Sequence, residues 1–423
     1  MARYTLAVAL LVACSSARVP SVDASDPIVP DARDPVSLAT TRERCKLLSD
    51  HNTSDPTAND VQHRANVLGA DLGIPVVHDD TFYVLFGDTI GYRAIWSGTE
   101  SHPDSIGYGV DTASQIAVDP GLLCTRMRIM ALSPAQSIGP SVDASVVADF
   151  AGVSMAPPAG HTLAEYIKNP SGGGSSIFPH LPGDFEVPSG AFAAGDSIYV
   201  FYTTVVGPGN IDMKASYLAR WQSPSKTGPP NYQILYGVDQ RFDANGPLHG
   251  NFINIAAQVS GDYVYLFGTG EYRRSGIHLA RKRLDSLATP DGFEDLGTIV
   301  ETKGYGETSV RYYPSIDRWM ILAEALVPGS NRIVAHVADK PEGPWSEPIV
   351  IHDMADPTFR AAYCCAAEDD CRGEQFFNCN RTGFYGTYLF PDVIATDDGF
   401  TVTYTMSSFS PYNVALFQAT FTD

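Results

Sequence analysis

Along most of this chain apolar and polar residues alternate in short runs bounded by Gly, Asp or Pro, a period of two that predicts strands. One phrase keeps returning. An extended apolar segment leads to a polar turn, the turn to an aromatic-rich strand, and that strand to a third. The first turn and second strand read His78-Asp79-Asp80-Thr81-Phe82-Tyr83-Val84-Leu85-Phe86-Gly87. They recur as Ala194-Gly195-Asp196-Ser197-Ile198-Tyr199-Val200-Phe201-Tyr202 and Ser260-Gly261-Asp262-Tyr263-Val264-Tyr265-Leu266-Phe267-Gly268. Ser315–Leu322 and Asp397–Tyr404 are weaker copies, and Ser216–Arg220 repeats as Ile277–Arg281 in the third strand. A small twisted sheet cannot bury both faces alone, so the copies predict an all-β fold, a five-bladed β-propeller with long loop insertions.

The blades are expected to begin near Asn66 and to continue over Glu186–Trp221, Asn251–Leu284, Glu307–Ala338 and Tyr385–Phe421. Ser97–Gly183 is too long for a blade loop and reads as an insertion building a rim, with one short helix expected at Thr162–Lys168. Cys364–Cys379 is a second, cysteine-rich insert.

The N-terminus has a different grammar. Arg3 and the apolar run Thr5–Ala13 predict a signal peptide over 1–14, ending on Leu11-Val12-Ala13-Cys14, which resembles a lipobox with Cys14 as the acylated residue. Ordinary secretion, with cleavage after Ser15-Ser16-Ala17, is the alternative. Residues 15–55 are expected to form a disordered tether, and 56–423 the propeller domain. No later run reaches the ~18 apolar residues of a membrane span, so the lipid is the expected membrane contact of an exported, surface-held monomer. Beyond Cys14 stand Cys45, Cys124, Cys364, Cys365, Cys371 and Cys379, an even set that predicts disulfides in an exported protein. Neighbouring Cys364 and Cys365 should take different partners, because a bond between adjacent residues is strained. Their spacing lacks the C-x2-C of a zinc knuckle.

A net charge of −20 excludes a nucleic-acid partner, whose phosphates demand a basic surface. It suits a neutral polysaccharide. In a propeller the inner strands start around one mouth of the axis, and the antiparallel second strands end there. That places Asp71, Glu186 and Glu307, near three inner-strand starts, around one funnel with Asp88 from Phe86-Gly87-Asp88-Thr89. Taken singly, an acid beside Gly or Pro is an ordinary turn residue. Repeated at one geometric level, such acids form the equipment of glycoside hydrolysis: one protonates the leaving oxygen and another activates water or attacks the sugar. Asp71 and Asp88 are expected to be a coupled pair. Arg273, Arg274, Asn254, Tyr305 and Tyr412 are expected to bind substrate, and His249 to be structural. Tyr92, Trp96, Tyr312 and Phe409 are further aromatic candidates in a chain where most aromatics should be packing. No G-x-S-x-G elbow or H-E-x-x-H pattern occurs, and no metal or cofactor is expected. The competing reading is a non-catalytic propeller that binds glycan or protein.

Asp71-Leu72-Gly73-Ile74-Pro75 followed by Tyr83-Val84-Leu85-Phe86-Gly87-Asp88-Thr89 resembles the opening of the bacterial domain family of unknown function numbered 4185. Phe267-Gly268-Thr269-Gly270-Glu271-Tyr272-Arg273-Arg274, Glu307-Thr308-Ser309-Val310 and Ser410-Pro411-Tyr412-Asn413-Val414 look like its later blades. Members of that family include endo-D-arabinanases of glycoside hydrolase family 183. The resemblance implies Asp71 and Asp88 as the key acidic pair; Glu186 and Glu307 are a weaker carry-over, and the inserts should reshape the cleft.

Overall fold

The computed structural model describes residues 35–49, 58–61, 67–91, 105–130, 185–206, 212–226, 232–367 and 370–422. The segment 1–14 expected to be a signal peptide, with Cys14, as well as Tyr92, Trp96 and the helix expected at Thr162–Lys168, lie outside the described residues.

The chain is built of short antiparallel sheets. Strand β1 (Ser37–Leu48) comes first, and β2 (Val67–Gly69) forms a small two-stranded sheet with a later strand. The first repeat runs through β3 (Leu72–His78), β4 (Thr81–Phe86), β5 (Ile90–Gly91, the partner of β2) and β6 (Ser105–Thr112). After helices α1 (Ala113–Val118) and α2 (Leu123–Arg126), β7 (Met127–Ile129) completes a sheet of order β3-β4-β6-β7. The second sheet is β8 (Phe185–Ala194), β9 (Ser197–Val206), β10 (Asp212–Gln222) and β11 (Tyr232–Gln240) in sequence order.

A seven-stranded sheet follows: β12 (Asn254–Ser260), β13 (Tyr263–Thr269), β14 (Ser275–Arg283), β15 (Phe293–Tyr313), β16 (Arg318–Val327), β17 (Ser330–Ala338) and β18 (Ile349–Asp353). The long β15 serves two repeats, since its first part pairs with β14 and Tyr305–Tyr313 with β16. Helix α3 (Pro357–Tyr363) then precedes β19 (Tyr385–Thr396), β20 (Gly399–Phe409) and β21 (Tyr412–Thr422). The last sheet has the order β19-β20-β21-β1, so the N-terminal strand closes the sheet of the C-terminus.

Two expectations are corrected here. Residues 37–48, assigned to the tether, form β1, because the edge of β21 needs a partner and the alternating strand ends on buried Leu47 and Leu48. Residues 105–129, assigned to the long insertion, supply the outer strands of the first sheet, their two short helices interrupting the pattern that would have marked them.

The core lies in wedges between neighbouring sheets, and the period of two sorts side chains into them. On β4, Tyr83 and Leu85 pack toward the second sheet, where Tyr83 meets Trp221 edge-on at 5.2 Å. Phe82, Val84 and Phe86 pack the other way, toward β1 and β21, and Phe82 lies 4.9 Å from Phe390. The inner strands pack side by side in the cycle β3, β8, β12, β15, β19 and back to β3. Side chains stitch this ring to neighbouring backbones: Thr203 Oγ1 donates to Ile253 O (2.7 Å), and Thr405 Oγ1 to Gly73 O (2.7 Å). Arg311 reaches further, donating from Nη2 to Pro75 O (2.7 Å) and from Nε to Leu389 O (3.2 Å). The axis beside it, between Pro75, Gly190, Ala257, Ser309 and Tyr388, holds a void of about 10 Å³, which widens to about 200 Å³ toward Val77, Phe192 and Tyr312.

Three disulfides join Cys45 to Cys124, Cys364 to Cys379 and Cys365 to Cys371. The adjacent cysteines take separate partners, as expected. The insert they staple is packed structure: Phe359 of α3 lies among His352, Phe377 and Phe384. Among the described residues no helix is long and apolar enough to cross a membrane.

Candidate active site

The register puts the predicted acids at one mouth of the ring. Leu72 pairs with Phe86, and Gly87 N donates to Asp71 O at 3.1 Å, so Asp71 and Asp88 flank the same end of the β3–β4 ladder. Tyr385 Oη donates to Asp71 Oδ2 (2.7 Å), and Tyr412 Oη to Asp88 Oδ2 (3.0 Å). Asp71 is buried, with 5 % of its surface exposed, while Asp88 is half-buried. Burial first, then the Asp88 charge, raises the Asp71 carboxyl well above the usual range; the bond from Tyr385 opposes this and Glu307 adds to it. Its Oδ1 is buried without a hydrogen-bond partner. A Cβ on Gly87 would collide with that oxygen, so only glycine fits beside it.

A second carboxylate pair stands on the facing sheet. Glu307, 3 % exposed, accepts from Tyr272 Oη at 2.8 Å, and its Oε2 is buried without a partner. Glu324 on β16 is fully buried, accepting from Arg273 Nε (2.9 Å) and Asn331 Nδ2 (2.5 Å). Its carboxyl is pushed up to about 8, by burial first, against the pull of Arg273 and with the support of Glu307. One guanidinium balances one negative charge here, so Glu324 keeps a proton beside Glu307. A Cβ on Gly306 would strike Glu324 Oε2, repeating the device at Gly87. Tyr388 lies between the pairs electrically: burial, then Glu307 and Asp71, raises its hydroxyl well above 10.

Glu186 is buried at the start of β8, but it is not among the charges that shift Asp71. Asn254, 2 % exposed, begins β12 with Oδ1 unpartnered and Nδ2 3.7 Å from Met213 Sδ. Arg273 holds Glu324 and lies over the Tyr272 ring at 4.6 Å. Arg274 points away, to Glu271 at 2.7 Å. Tyr305 is a correction: it is 1 % exposed, packs in the core and bonds His336 Nε2 at 2.8 Å, so no sugar can stack on it. Its aromatic ring satisfies the same alternation that fills every wedge. Tyr412 offers its hydroxyl to Asp88 and so reaches the site by its tip.

The sequence reading missed Glu324, Tyr272, Tyr385 and Tyr388. Two of them carried a signal. Tyr385 starts the fifth inner strand, the position held by acids elsewhere. Glu324 lies seven residues after the turn residue Asp317, close to the eight that separate Asp80 from Asp88.

Buried acids that stay protonated make stability depend on pH. Glu324 and Glu43 are both raised to about 8 from 4.5, and Asp71 is raised too. The folded state then binds protons that the unfolded chain releases above about 4.5. Their stabilisation is complete below that pH and is lost as pH rises through about 8. Burial lowers His352 to about 3 and also lowers His336 and His278, which pushes stability the other way below about pH 6.5, so the contribution of Glu324 is read above that pH. The melting temperature is expected to fall more steeply from about pH 6.5 to 8 in wild type than in Glu324→Gln, and equal slopes would contradict the assignment.

No curated protein sequence matches this chain. Among solved structures, a Bacteroides ovatus protein described as a presumed hydrolase aligns with a TM-score of 0.51 at 12% identity, over 85% of this chain and 87% of that one. An α-L-arabinofuranosidase from Podospora anserina aligns at 0.43 and 12%, over 89% and 95%. An exo-1,5-α-L-arabinanase from a bovine ruminal metagenomic library aligns at 0.44 and 11%, over 84% and 93%. Identities this low speak for the fold alone, and only the first score is high enough to do so. The sequence itself is decisive on family: the model of the domain of unknown function DUF4185 matches residues 57–418, and this chain belongs to that family.

Proposed function

We propose that this protein is a glycoside hydrolase, built as a five-bladed propeller, that cleaves furanose-containing, arabinan-like polysaccharide at the mouth defined by Asp71 and Asp88. The observation that carries the reading is the coupled pair. Asp71 is buried, raised by that burial and then by its neighbours' charge, and left with one oxygen unpartnered, while Asp88 sits closer to solvent under Tyr412. An orphaned carboxylate oxygen costs folding energy and has no packing role.

In this reading Asp71 is the acid. Its proton passes to the glycosidic oxygen as the bond to the anomeric carbon breaks; water adds to that carbon, and Asp88 takes the water's proton. Asp71 Oδ1 is covered beside Gly87 in the free protein, and this reading requires that cover to shift when the sugar binds. Tyr385 fixes the acid's orientation. Glu307 and Arg273 form the opposite wall, where the partly exposed guanidinium, held by buried Glu324, offers donors to sugar hydroxyls. Glu186 is assigned a supporting place at the rim. The disulfides suit an exported protein.

Purified protein incubated with a panel containing arabinan, xylan and galactan should release oligosaccharides from arabinan. Binding to arabinan without release of any product would make it a glycan-binding propeller instead.

A further inference from the structure

Outside the carboxylate mouth, the turn between β13 and β14 has a second side. Tyr272 and Arg273 turn to Glu307 and Glu324, whereas Glu271 and Arg274 line a separate cavity of about 350 Å³. Phe242, His249, His278 and Lys303 line it too. Since Arg273 and Arg274 are consecutive, with Cα atoms ~3.8 Å apart, the cavity adjoins the proposed active site.

The loop that carries Phe242 is built to hold it out. Asp239 accepts from Gln240 N (2.9 Å), Gly250 N (3.1 Å) and Phe252 N (2.9 Å), pinning both ends. Asp243 Oδ1 ties the middle, accepting from Gly246 N at 3.0 Å. Phe242 and His249 both adopt left-handed backbone, with φ of 63° and 59°, which side chains with a Cβ avoid unless something holds them there. The result is a phenylalanine left 74 % exposed. The Arg241 guanidinium lies 4.2 Å from its ring centroid, and Arg241 is itself held by Asp212 and by Glu271 (3.3 Å). Packing requires none of this, since the wedges are filled without Phe242.

The charges decide the ligand class. Arg241, Arg274 and Lys303 stand against Asp212, Glu271, Glu301 and Asp295, the last 3.9 Å from His249 Nε2, and Glu271 bridges both arginines. The cavity is therefore close to neutral and rich in fixed donors and acceptors around an apolar ring, which is the chemistry that recognises an uncharged sugar.

We propose that this cavity is a distal sugar subsite, where an uncharged ring of the polysaccharide stacks on Phe242 and its hydroxyls meet Arg274, Lys303 and His249. The inference rests on the glycoside-hydrolase reading and extends it: the enzyme selects long chains over short ones.

The test uses linear arabinofuranosyl oligosaccharides of increasing length and arabinan, with wild type, Phe242→Ala and Phe242→Tyr. Phe242→Ala should lower the long-to-short ratio of kcat/KM about three- to tenfold through KM, the scale of one aromatic contact. Phe242→Tyr should restore it. If wild type cleaves arabinan and Phe242→Ala leaves the ratio unchanged, the subsite is wrong and the hydrolase reading stands. If wild type cleaves nothing but is retarded in native gels containing arabinan, and Phe242→Ala abolishes the retardation, the subsite stands and the hydrolase reading falls. Neither cleavage nor retardation overturns both.

Discussion

Asp71→Asn should fold like the native protein and lower kcat on arabinan by about 10²–10⁴-fold, the usual contribution of a positioned acid. Asparagine keeps an oxygen for the Tyr385 hydroxyl and fills the same space beside Gly87, so the local packing survives. What it loses is the proton. Because burial and the charge of Asp88 raise the Asp71 carboxyl, the native residue carries that proton where an exposed aspartate would not. Asp88→Asn should lose a comparable factor, since it removes the base, and should also free Asp71 of its main charged neighbour. Equal activity in wild type and both variants, each confirmed as folded by its melting curve, would remove the pair from the chemistry.

The second large effect concerns the N-terminal strand. Replacing Cys45 and Cys124 by serine should destabilise the protein by about 4 kcal/mol, because that disulfide closes a long loop in the unfolded chain. The separation of 79 residues is far longer than the 15 and 6 closed within the cysteine-rich insert. The bond ties β1 to α2, and so ties the strand that completes the last sheet to the first. Without it β1 frays more easily and leaves the edge of β21 open. Denaturant melts of this variant and of the Cys365/Cys371 double serine variant should show the larger loss for Cys45/Cys124. The reverse order would contradict this account of β1.

The repeat made the strands legible, and the reason is local. β4, β9 and β13 are short runs rich in apolar and aromatic residues that follow a polar turn, so each declares itself a strand without knowledge of its neighbours. The site's level was legible for the same reason: Asp71 and Asp88 share one end of one ladder, and Gly87 bonds across it. What escaped depended on partners distant in sequence. β1 is polar on its outer face and gains its identity only from β21, 376 residues later in the pairing of Arg42 with Gln418. Glu324 sits in a weak copy of the repeat, where it reads as an exposed strand residue until Arg273 and Asn331 enclose it. Tyr305 went the other way, an aromatic at a promising position that alternation had already committed to the core. Phe242 gave no signal, because exposure cannot be read from a loop sequence.

The most direct test is the structure of Asp71→Asn with a bound arabinofuranosyl oligosaccharide long enough to span the mouth and the Phe242 cavity. The account predicts the scissile glycosidic oxygen within hydrogen-bond reach, about 2.6–3.2 Å, of the residue 71 side chain, with Asp88 beside the anomeric carbon. A sugar chain bound elsewhere, with residue 71 still locked against Tyr385 and no glycosidic oxygen near it, would contradict the account.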